Sequence, residues 1–164
     1  MDRDADARPE GAGGPAADTP DAPRAGLRPM VGVGVLVLCG ERLLLGRRRT
    51  SHGRRTWQPP GGHLEFGETV EDCARREVKE EADISIRDLR IGPYTNDVFP
   101  DEGKHYISLF IVATLDSGEP RRTEPDKTER WDWFRWTAMP EPLFLPLEHL
   151  RASGYDPLAD QSLS

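Results

Sequence analysis

The sequence predicts an α/β fold in which a mixed β-sheet is sandwiched between helices (α/β/α). Segments of alternating residues rich in Val, Leu and Ile recur along the chain and are typical of β-strands. Two other segments have apolar residues at helical spacing, one between strands and one near the C-terminus. One helix within the strand order and one after it can cover the two faces of a single sheet.

Length and charge limit the classes of function. A chain of 164 residues suits one domain of ordinary size. Its formal net charge of -7 lacks the basic footprint of proteins that bind nucleic-acid polymers, so we expect no such partner. The longest apolar run, VGVGVLVLC, is too short to span a bilayer, and the N-terminus has no apolar signal-peptide segment. We therefore expect a cytoplasmic protein with no membrane partner.

The composition also predicts where the folded domain lies. Residues 1–28 are mostly Ala, Pro, Gly, Asp and Arg, and they cannot bury enough apolar surface to offset the entropy lost on ordering. We predict a disordered tail over 1–28, a folded domain over 29–157 and a flexible C-terminus over 158–164. Cys39 and Cys73 are too few for a disulfide framework or a Cys-rich zinc site, and we expect two buried, reduced thiols.

A β-hairpin is predicted at the start of the domain. In MVGVGVLVLC (30–39) Val alternates with Gly or Leu, which is the period of a strand with two apolar faces. A CGE turn leads into a second strand, RLLLGRRR (42–49). TSHGRRT (50–56) is predicted to be a loop. WQPPGG (57–62) is predicted to be extended, because its two prolines do not fit a helix.

The rest of the domain is predicted to contain a helix, three strands and a second helix. Thr69 is a suitable start for a helix over 69–82, in which Val70 and Val78 lie on one apolar face. A strand ending in a turn is predicted over 84–94, and a long strand over 105–115. A polar loop over 116–128 leads to an aromatic strand over 129–136, and a helix over 141–154 is closed by Gly154.

Three glutamates in the first predicted helix are unusual in their spacing. Glu77, Glu80 and Glu81 follow one another at helical intervals, so they share one side of the helix, where like charges repel. Such a group either lies in water or holds a cation, and a solvated face is the simpler interpretation of REVKEEA taken alone. As cation ligands, hard carboxylate oxygens select Mg2+, with Mn2+ as a substitute.

The residues before and after the glutamates extend the pattern. From Gly62, five residues lead to Glu68 and seven more lead to Arg76, which is followed by EVKEEADI; WQPPGG precedes this segment. The arrangement resembles the signature of the Nudix hydrolase superfamily, G-x5-E-x7-R-E-U-x-E-E-x-G-U, where U is a bulky apolar residue. Asp83 stands where the signature has Gly. That position ends the helix, where a left-handed residue is common, and Asp tolerates this conformation.

The resemblance implies a Nudix fold and hydrolysis of a diphosphate bond in a nucleoside diphosphate linked to another group. It implies Mg2+ as the cofactor, and the implied ligands are Gly61 through its carbonyl, Glu77, Glu80 and Glu81. Either Glu80 or Glu81 would act as the base near the attacking water. Arg76 would orient a carboxylate, and Glu68, placed at the start of the helix, would reach the metals through water. Glu124, in the loop over 116–128, is a further carboxylate that could reach the metals, although loop carboxylates are usually only solvated.

The resemblance extends to the MutT-like subgroup of small Nudix proteins from plants and animals, through stretches such as LLLGRRR, HYISLF and PLEHLRASGYDP. That subgroup includes hydrolases of oxidised purine nucleoside triphosphates such as 8-oxo-dGTP, which release a nucleoside monophosphate and pyrophosphate, and its members are often homodimers. The implied substrate-binding residues are Arg48, Gln58, His63, Ser108, Phe144 and Leu147. Leu145 and Pro146 differ from the Trp-Gly or Trp-Pro of relatives. We expect the protein to form a homodimer and to bind a small nucleotide or diphosphate substrate.

Two other functions stay open. One plant branch of the family hydrolyses a prenyl diphosphate such as geranyl diphosphate, so the first alternative is a hydrolase of a prenyl diphosphate or of a pathway-specific nucleotide. Likeness of fold fixes the reaction better than the substrate. The second alternative is a non-catalytic Nudix-fold binding module. Such modules usually have an incomplete glutamate set or an attached DNA-binding domain, whereas the glutamate set here is complete.

Overall fold

The computed structural model describes residues 27–159. The predicted disorder of residues 1–28 and flexibility of 158–164 therefore fall almost entirely outside the described residues. The strands are β1 (Met30–Cys39), β2 (Arg42–Arg48), β3 (Trp57–Gln58), β4 (Gly61–His63), β5 (Ser85–Phe99), β6 (Lys104–Ser117) and β7 (Thr128–Arg135). The helices are α1 (Val70–Ala82) and α2 (Leu145–Ala152), with 3-10 turns at Pro100–Glu102 and Trp136–Ala138.

All the strands belong to one mixed sheet built around β1. The main order is β3-β2-β1-β6-β5, β4 also pairs with β1, and β7 pairs with β2. β1 and β6 are parallel, whereas β1 pairs antiparallel with β2 near its C-terminal end and with β4 near its N-terminal end. This divided pairing places Gly32 opposite both His63 and Ser108. Residues from three distant parts of the sequence therefore meet at the first half of β1.

Two apolar cores hold the helices on opposite faces of the sheet. On β1, Val35 and Val37 face the core that includes Val78 of α1. Leu36 and Leu38 face the other core, which includes Leu147 of α2. Alternation of side chains along a strand explains why neighbouring β1 residues enter different cores. The predicted α/β/α sandwich is confirmed.

The strand predicted over 84–94 and the helix predicted over 141–154 have different boundaries in the structure. β5 continues to Phe99 instead of turning near 94, and its register with β6 shifts around Gly92 and Pro93. These residues indicated a turn, but an edge strand tolerates a proline and absorbs the extra length as bulges. α2 begins at Leu145 and not near 141, because Pro146 lacks an N–H and fits only the first turn of a helix.

The cysteines differ in environment. Cys73 is buried as predicted, but Cys39 is exposed at the end of β1, so the prediction of two buried thiols was wrong for Cys39. The strand there runs into a turn at Gly40, which has positive φ, and the chain leaves the core. Neither helix within residues 27–159 has the length and apolar character needed to cross a membrane.

Candidate active site

Helix α1, which carries the glutamates, has a defined start and end. The Thr69 side chain accepts a hydrogen bond from the backbone N–H of Asp72 at 3.1 Å, so Thr69 is the N-cap. Asp83 takes the left-handed conformation with φ of 54°, and its N–H donates to the Lys79 carbonyl. The residue that departs from the Gly of the signature thus adopts the geometry that the signature requires.

Arg76 links the loop before α1 to the helix. Its Nε donates to Glu68 Oε1 at 2.7 Å and its Nη2 donates to Glu68 Oε2 at 3.0 Å. Its Nη1 donates to Glu77 Oε1 at 2.6 Å. The hydrogen bonds from Arg76 lower the pKa of Glu68 to about 2. Glu68 precedes the N-cap and does not begin the helix as predicted, because Thr69 already closes the first turn.

Glu77 points inward beneath Gly62. The residue is 8% exposed, and burial raises the pKa of its carboxyl above the usual value. A Cβ atom on Gly62 would lie 2.4 Å from Glu77 Oε1, a distance at which the two atoms would clash. Only glycine at this position lets the carboxylate lie against the β4 backbone.

Glu81 is the second buried carboxylate and is held by Gly61. The Gly61 N–H donates to Glu81 Oε2 at 3.0 Å. Burial, together with the smaller effects of the charges of Glu77 and Glu124, raises the pKa of Glu81 to about 8. A Cβ on Gly61 would lie 2.1 Å from the Val33 carbonyl oxygen, so close pairing with β1 also requires glycine here. The glycine pair therefore brings backbone next to both buried glutamates.

Glu80 differs from the other two helix glutamates. Its side chain is 54% exposed and lies 3.3 Å from Arg76 Nη1. Within residues 27–159, no group of three or more His, Cys, Asp or Glu side chains is already gathered in a cation-binding arrangement. The structure thus brings Glu77 and Glu81 together behind the glycine pair and leaves Glu80 on the rim.

The chemistry of this corner nevertheless fits a hard divalent cation. Glu124 Oε2, from the loop before β7, is buried and has no hydrogen-bond partner among the described residues. Its charge acts on Glu81, which is itself buried beside Glu77. Buried carboxylate oxygens without enough donors are costly unless a cation compensates them. Oxygen donors of this kind are the ligands that Mg2+ and Mn2+ take.

A cleft of about 180 Å³ adjoins the glycine pair and opens to solvent. Its lining includes all six residues predicted to bind substrate, which are Arg48, Gln58, His63, Ser108, Phe144 and Leu147. Gly61 and Gly62 also line it, so the buried glutamates lie next to one end of the cleft. The substrate contacts of these residues remain predictions.

Arg48 is the basic residue of RRR that reaches the cleft. Its Nε donates to the His52 carbonyl at 2.8 Å, its Nη1 donates to Gln58 Oε1, and its guanidinium lies 4.2 Å from the centre of the Phe144 ring. Burial lowers the pKa of Arg48 from its usual value. Arg47 instead pairs with Glu129 at 3.3 Å, consistent with alternation along β2.

Aromatic residues of the cleft that were missed from the sequence include His52, Phe99 and Tyr106. The His52 ring lies 4.5 Å from the Phe99 ring, between centroids, and 5.2 Å from the Phe144 ring. Tyr106 OH lies 3.1 Å from His63 Nε2. Tyr106 could have been found, because it precedes Ser108 by two residues and shares its strand face. His52 and Phe99 lie in a loop and at the end of an extended strand, where no local pattern marks them.

Comparisons with known proteins complete the description of the site. A NUDIX domain model matches residues 28–153. An oxidized purine nucleoside triphosphate hydrolase from Mus musculus is 44% identical over 107 residues, which are 65% of this chain and 66% of that protein. An NAD-capped RNA hydrolase NudC from Photorhabdus laumondii is 37% identical over 79 residues, which are 48% of this chain and 29% of that protein. The chain thus spans less than two thirds of either relative. The crystal structure of a MutT NUDIX hydrolase from Burkholderia pseudomallei aligns with a TM-score of 0.71 at 30% identity, covering 75% of this chain and 95% of that one.

Proposed function

Because the chain belongs to the Nudix hydrolase family, we propose that it hydrolyses a diphosphate bond in a nucleoside triphosphate or a related nucleoside diphosphate derivative. The products are a nucleoside monophosphate and pyrophosphate, and 8-oxo-dGTP is a candidate substrate because the mouse relative is named for oxidized purine nucleotides. The observation that carries the proposal is the buried pair Glu77 and Glu81, held against the glycine pair at one end of an aromatic cleft. The cytoplasmic location predicted from the sequence is part of this proposal.

The cofactor in this proposal is Mg2+, with Mn2+ as a substitute. Glu77, Glu81 and the Gly61 carbonyl would hold it, and Glu80 and Glu124 lie within the same acidic corner. When bound, the cation stabilises charge on the phosphates and lowers the pKa of a bound water. No further donors are required from the protein, since Mg2+ commonly completes its shell with waters and substrate phosphates.

The protein's own residues divide the remaining tasks. Arg76 fixes the direction of Glu77 through a short charge-assisted hydrogen bond. Arg48, half-buried at the cleft, supplies positive charge for a phosphate oxygen, and His63, next to Gly62, lines the cleft together with Tyr106. Either Glu80 or Glu81 takes the proton from the attacking water. Comparison of Glu80→Gln with Glu81→Gln, each assayed from pH 6 to pH 9, assigns this role to the one whose loss removes the rise of activity with pH, which is the acidic limb of the profile.

A substrate panel with product analysis tests the proposed reaction. Nucleoside triphosphates, including 8-oxo-dGTP, and nucleoside diphosphate sugars are incubated with Mg2+ or Mn2+. Release of pyrophosphate is measured for the triphosphates, and release of nucleoside monophosphate and sugar phosphate for the sugars. Glu77→Gln is expected to lower turnover by at least a hundredfold while the fold is retained. Glu71→Gln, on the first turn of the same helix, is the matched control and should leave turnover within about twofold. Full turnover by Glu77→Gln would refute the metal-binding role.

A prenyl diphosphate is the second candidate substrate. Phe110, Pro146 and Leu147 give the cleft an apolar wall that an isoprenoid chain could contact. Release of phosphate from geranyl diphosphate, at a rate above that of pyrophosphate release from any nucleotide, would favour this substrate. Nucleotide binding without metal-dependent hydrolysis across the panel would instead favour a non-catalytic binding module.

A homodimer is also proposed. β5 lies at the edge of the sheet, and it exposes Ile91, Tyr94 and Val98 at 72%, 68% and 50%. Apolar side chains on an unpaired strand edge favour association with another chain. Light scattering of the native protein and of an Ile91→Lys, Tyr94→Lys double variant tests this, since the variant is expected to be monomeric. A native monomer at micromolar concentration would refute it.

A further inference from the structure

Asp97 is a buried carboxylate beside the cleft that has no part in the proposed reaction. Asp97 has 0% exposure. Its Oδ2 accepts hydrogen bonds from Thr95 Oγ1 at 2.8 Å and from Ser108 Oγ at 2.6 Å. Its Oδ1 accepts one from His149 Nδ1 at 2.8 Å. These donors come from β5, β6 and α2, so three elements converge on one carboxylate.

This network determines which way the Ser108 hydroxyl points. A serine hydroxyl has one hydrogen to donate and two lone pairs that accept. An ionised carboxylate can only accept, so the hydrogen of Ser108 is committed to Asp97. Ser108 also lines the cleft. The group that it offers to a ligand is therefore a lone pair, and Ser108 acts there as an acceptor.

The surroundings of Ser108 leave this acceptor accessible to a flat ligand. Gly32 lies opposite Ser108 in the pairing of β1 with β6 and has no side chain to cover it. A Cβ at Gly32 would have no contact nearer than Tyr106 at 3.8 Å, so the space is open. Aromatic rings at Tyr106 and Phe144 line the same cleft. A planar heterocycle can contact these rings and present an edge to Ser108.

We propose that Asp97 is a positioning residue that sets Ser108 as a hydrogen-bond acceptor, and that the cleft selects nucleobases presenting an N–H donor to this wall. This inference rests on the proposed function and narrows its substrate class to purine nucleotides with a guanine-like amino or imino group. A prenyl chain has no N–H group and leaves the Ser108 lone pairs unpaired. Sites built to hydrogen-bond a substrate group discriminate strongly against analogues that lack it.

Binding of nucleoside monophosphates without metal tests the inference separately from turnover. Calorimetry gives the dissociation constants of dGMP, of dIMP, which lacks the 2-amino group, and of 8-oxo-dGMP, which gains an N7–H. The native protein is expected to prefer the nucleotide with the additional donor by about tenfold or more in at least one of the pairs dGMP/dIMP and 8-oxo-dGMP/dGMP. Ser108→Ala should reduce that ratio to within about twofold.

The variant Asp97→Asn keeps the size of the side chain but replaces one hydrogen-bond acceptor with a donor. Its amide oxygen can accept from His149 while its NH2 group donates to Ser108, which frees the Ser108 hydrogen to point into the cleft. In Asp97→Asn, the nucleotide with the additional N–H donor is then expected to bind no more tightly, or more weakly, than the nucleotide of the pair that lacks the donor. Thr95→Val is the matched control, because it removes another hydroxyl from Asp97 without changing Ser108, and it should keep the native ratio. Thermal melting verifies that each variant is folded. If Asp97→Asn does not fold, the affinity ratios of Ser108→Ala alone test the inference.

The outcomes distinguish the two proposals. Equal affinities within both pairs, no measurable binding of any monophosphate, or a native ratio in folded Ser108→Ala would overturn the role of Ser108 as a selective acceptor. Donor-selective binding together with no Mg2+-dependent hydrolysis of any triphosphate would overturn the proposed hydrolysis and leave the inference about recognition intact.

Discussion

Arg76 and Glu68 are joined by two hydrogen bonds of 2.7 and 3.0 Å, which close the loop before α1 onto the helix. The same guanidinium contacts Glu77, so the loop, the helix and a proposed metal ligand share one cation. Planar two-bond pairing of this kind depends on the fork shape of arginine, which lysine lacks. A lysine at position 76 would keep the positive charge but could not form the same pair of hydrogen bonds with Glu68.

Arg76→Lys is expected to lower kcat by about tenfold to a hundredfold, the usual cost of losing a group that orients a metal ligand. The apparent affinity for Mg2+ should weaken by a similar factor, since Glu77 is no longer held. Arg75→Lys is the matched control on the neighbouring position, where the guanidinium only donates to the Ile86 carbonyl. Steady-state assays over a Mg2+ titration measure both quantities. Equal effects of the two variants would contradict the orienting role.

Metal-free protein is expected to lose stability as pH rises from about 4.5 to about 8. Burial raises the folded-state pKa of Glu81 to about 8, above its ordinary value of 4.5, so the folded protein binds more protons than the unfolded chain in this window. The stabilising effect is complete below pH 4.5 and is lost as the carboxyl ionises. A shift of this size corresponds to a few kcal/mol as an order of magnitude. Thermal melting in a chelator across this range measures it.

Glu81→Gln supplies the control for that pH dependence. The amide cannot ionise, so the fall in melting temperature between pH 4.5 and pH 8 should be smaller than in the native protein. Added Mg2+ should raise the melting temperature of the native protein most at the upper end of the range. If the melting temperature of the native protein in chelator rises steadily up to pH 8, the pKa of Glu81 is not raised by burial and the prediction is contradicted.

Asp83→Gly is expected to leave stability unchanged or to raise it by up to about 1 kcal/mol, because glycine adopts the left-handed conformation without steric cost. The gain is offset in part by loss of the exposed ion pair with Lys79, which contributes little because it lies in solvent. Asp83→Ala should be less stable than the native protein by about 1 kcal/mol. Urea unfolding of the three proteins gives the order. Turnover should be the same in all three, and an alanine variant as stable as the glycine variant would contradict the geometry.

Gly62→Ala is expected to lower turnover to about 1% of the native rate or less. The added Cβ would lie 2.4 Å from Glu77 Oε1, so the Glu77 carboxylate would have to move away. Gly32→Ala, on the paired strand, adds a methyl group with no contact below 3.8 Å and serves as a control for stability. Its melting temperature should stay near the native value, whereas that of Gly62→Ala should fall. A fully active Gly62→Ala variant would disprove the close approach of Glu77.

The helix pattern predicted the position of the acidic residues but not how they divide between interior and rim. Glu77 and Glu81 are four residues apart and turn to one side of α1, while Glu80 lies on the other edge of the same stripe. Which edge is buried depends on the loop that carries Glu124 and on β4, and no spacing within α1 reveals either. The resemblance located the residues of the cleft on β2, β6 and α2. It did not indicate Asp97, whose partners come from three elements that meet only in the folded chain.

The parallel pairing of β1 with β6 has a consequence for biosynthesis. Met30 lies opposite Tyr106, so the register that brings Gly32 next to Ser108 joins segments far apart in the sequence. Closing so large a loop is slow compared with forming a hairpin or a helix. A nascent chain can therefore complete the β1–β2 hairpin and α1 while still on the ribosome, but it acquires a ligand-competent cleft only after β6 has emerged.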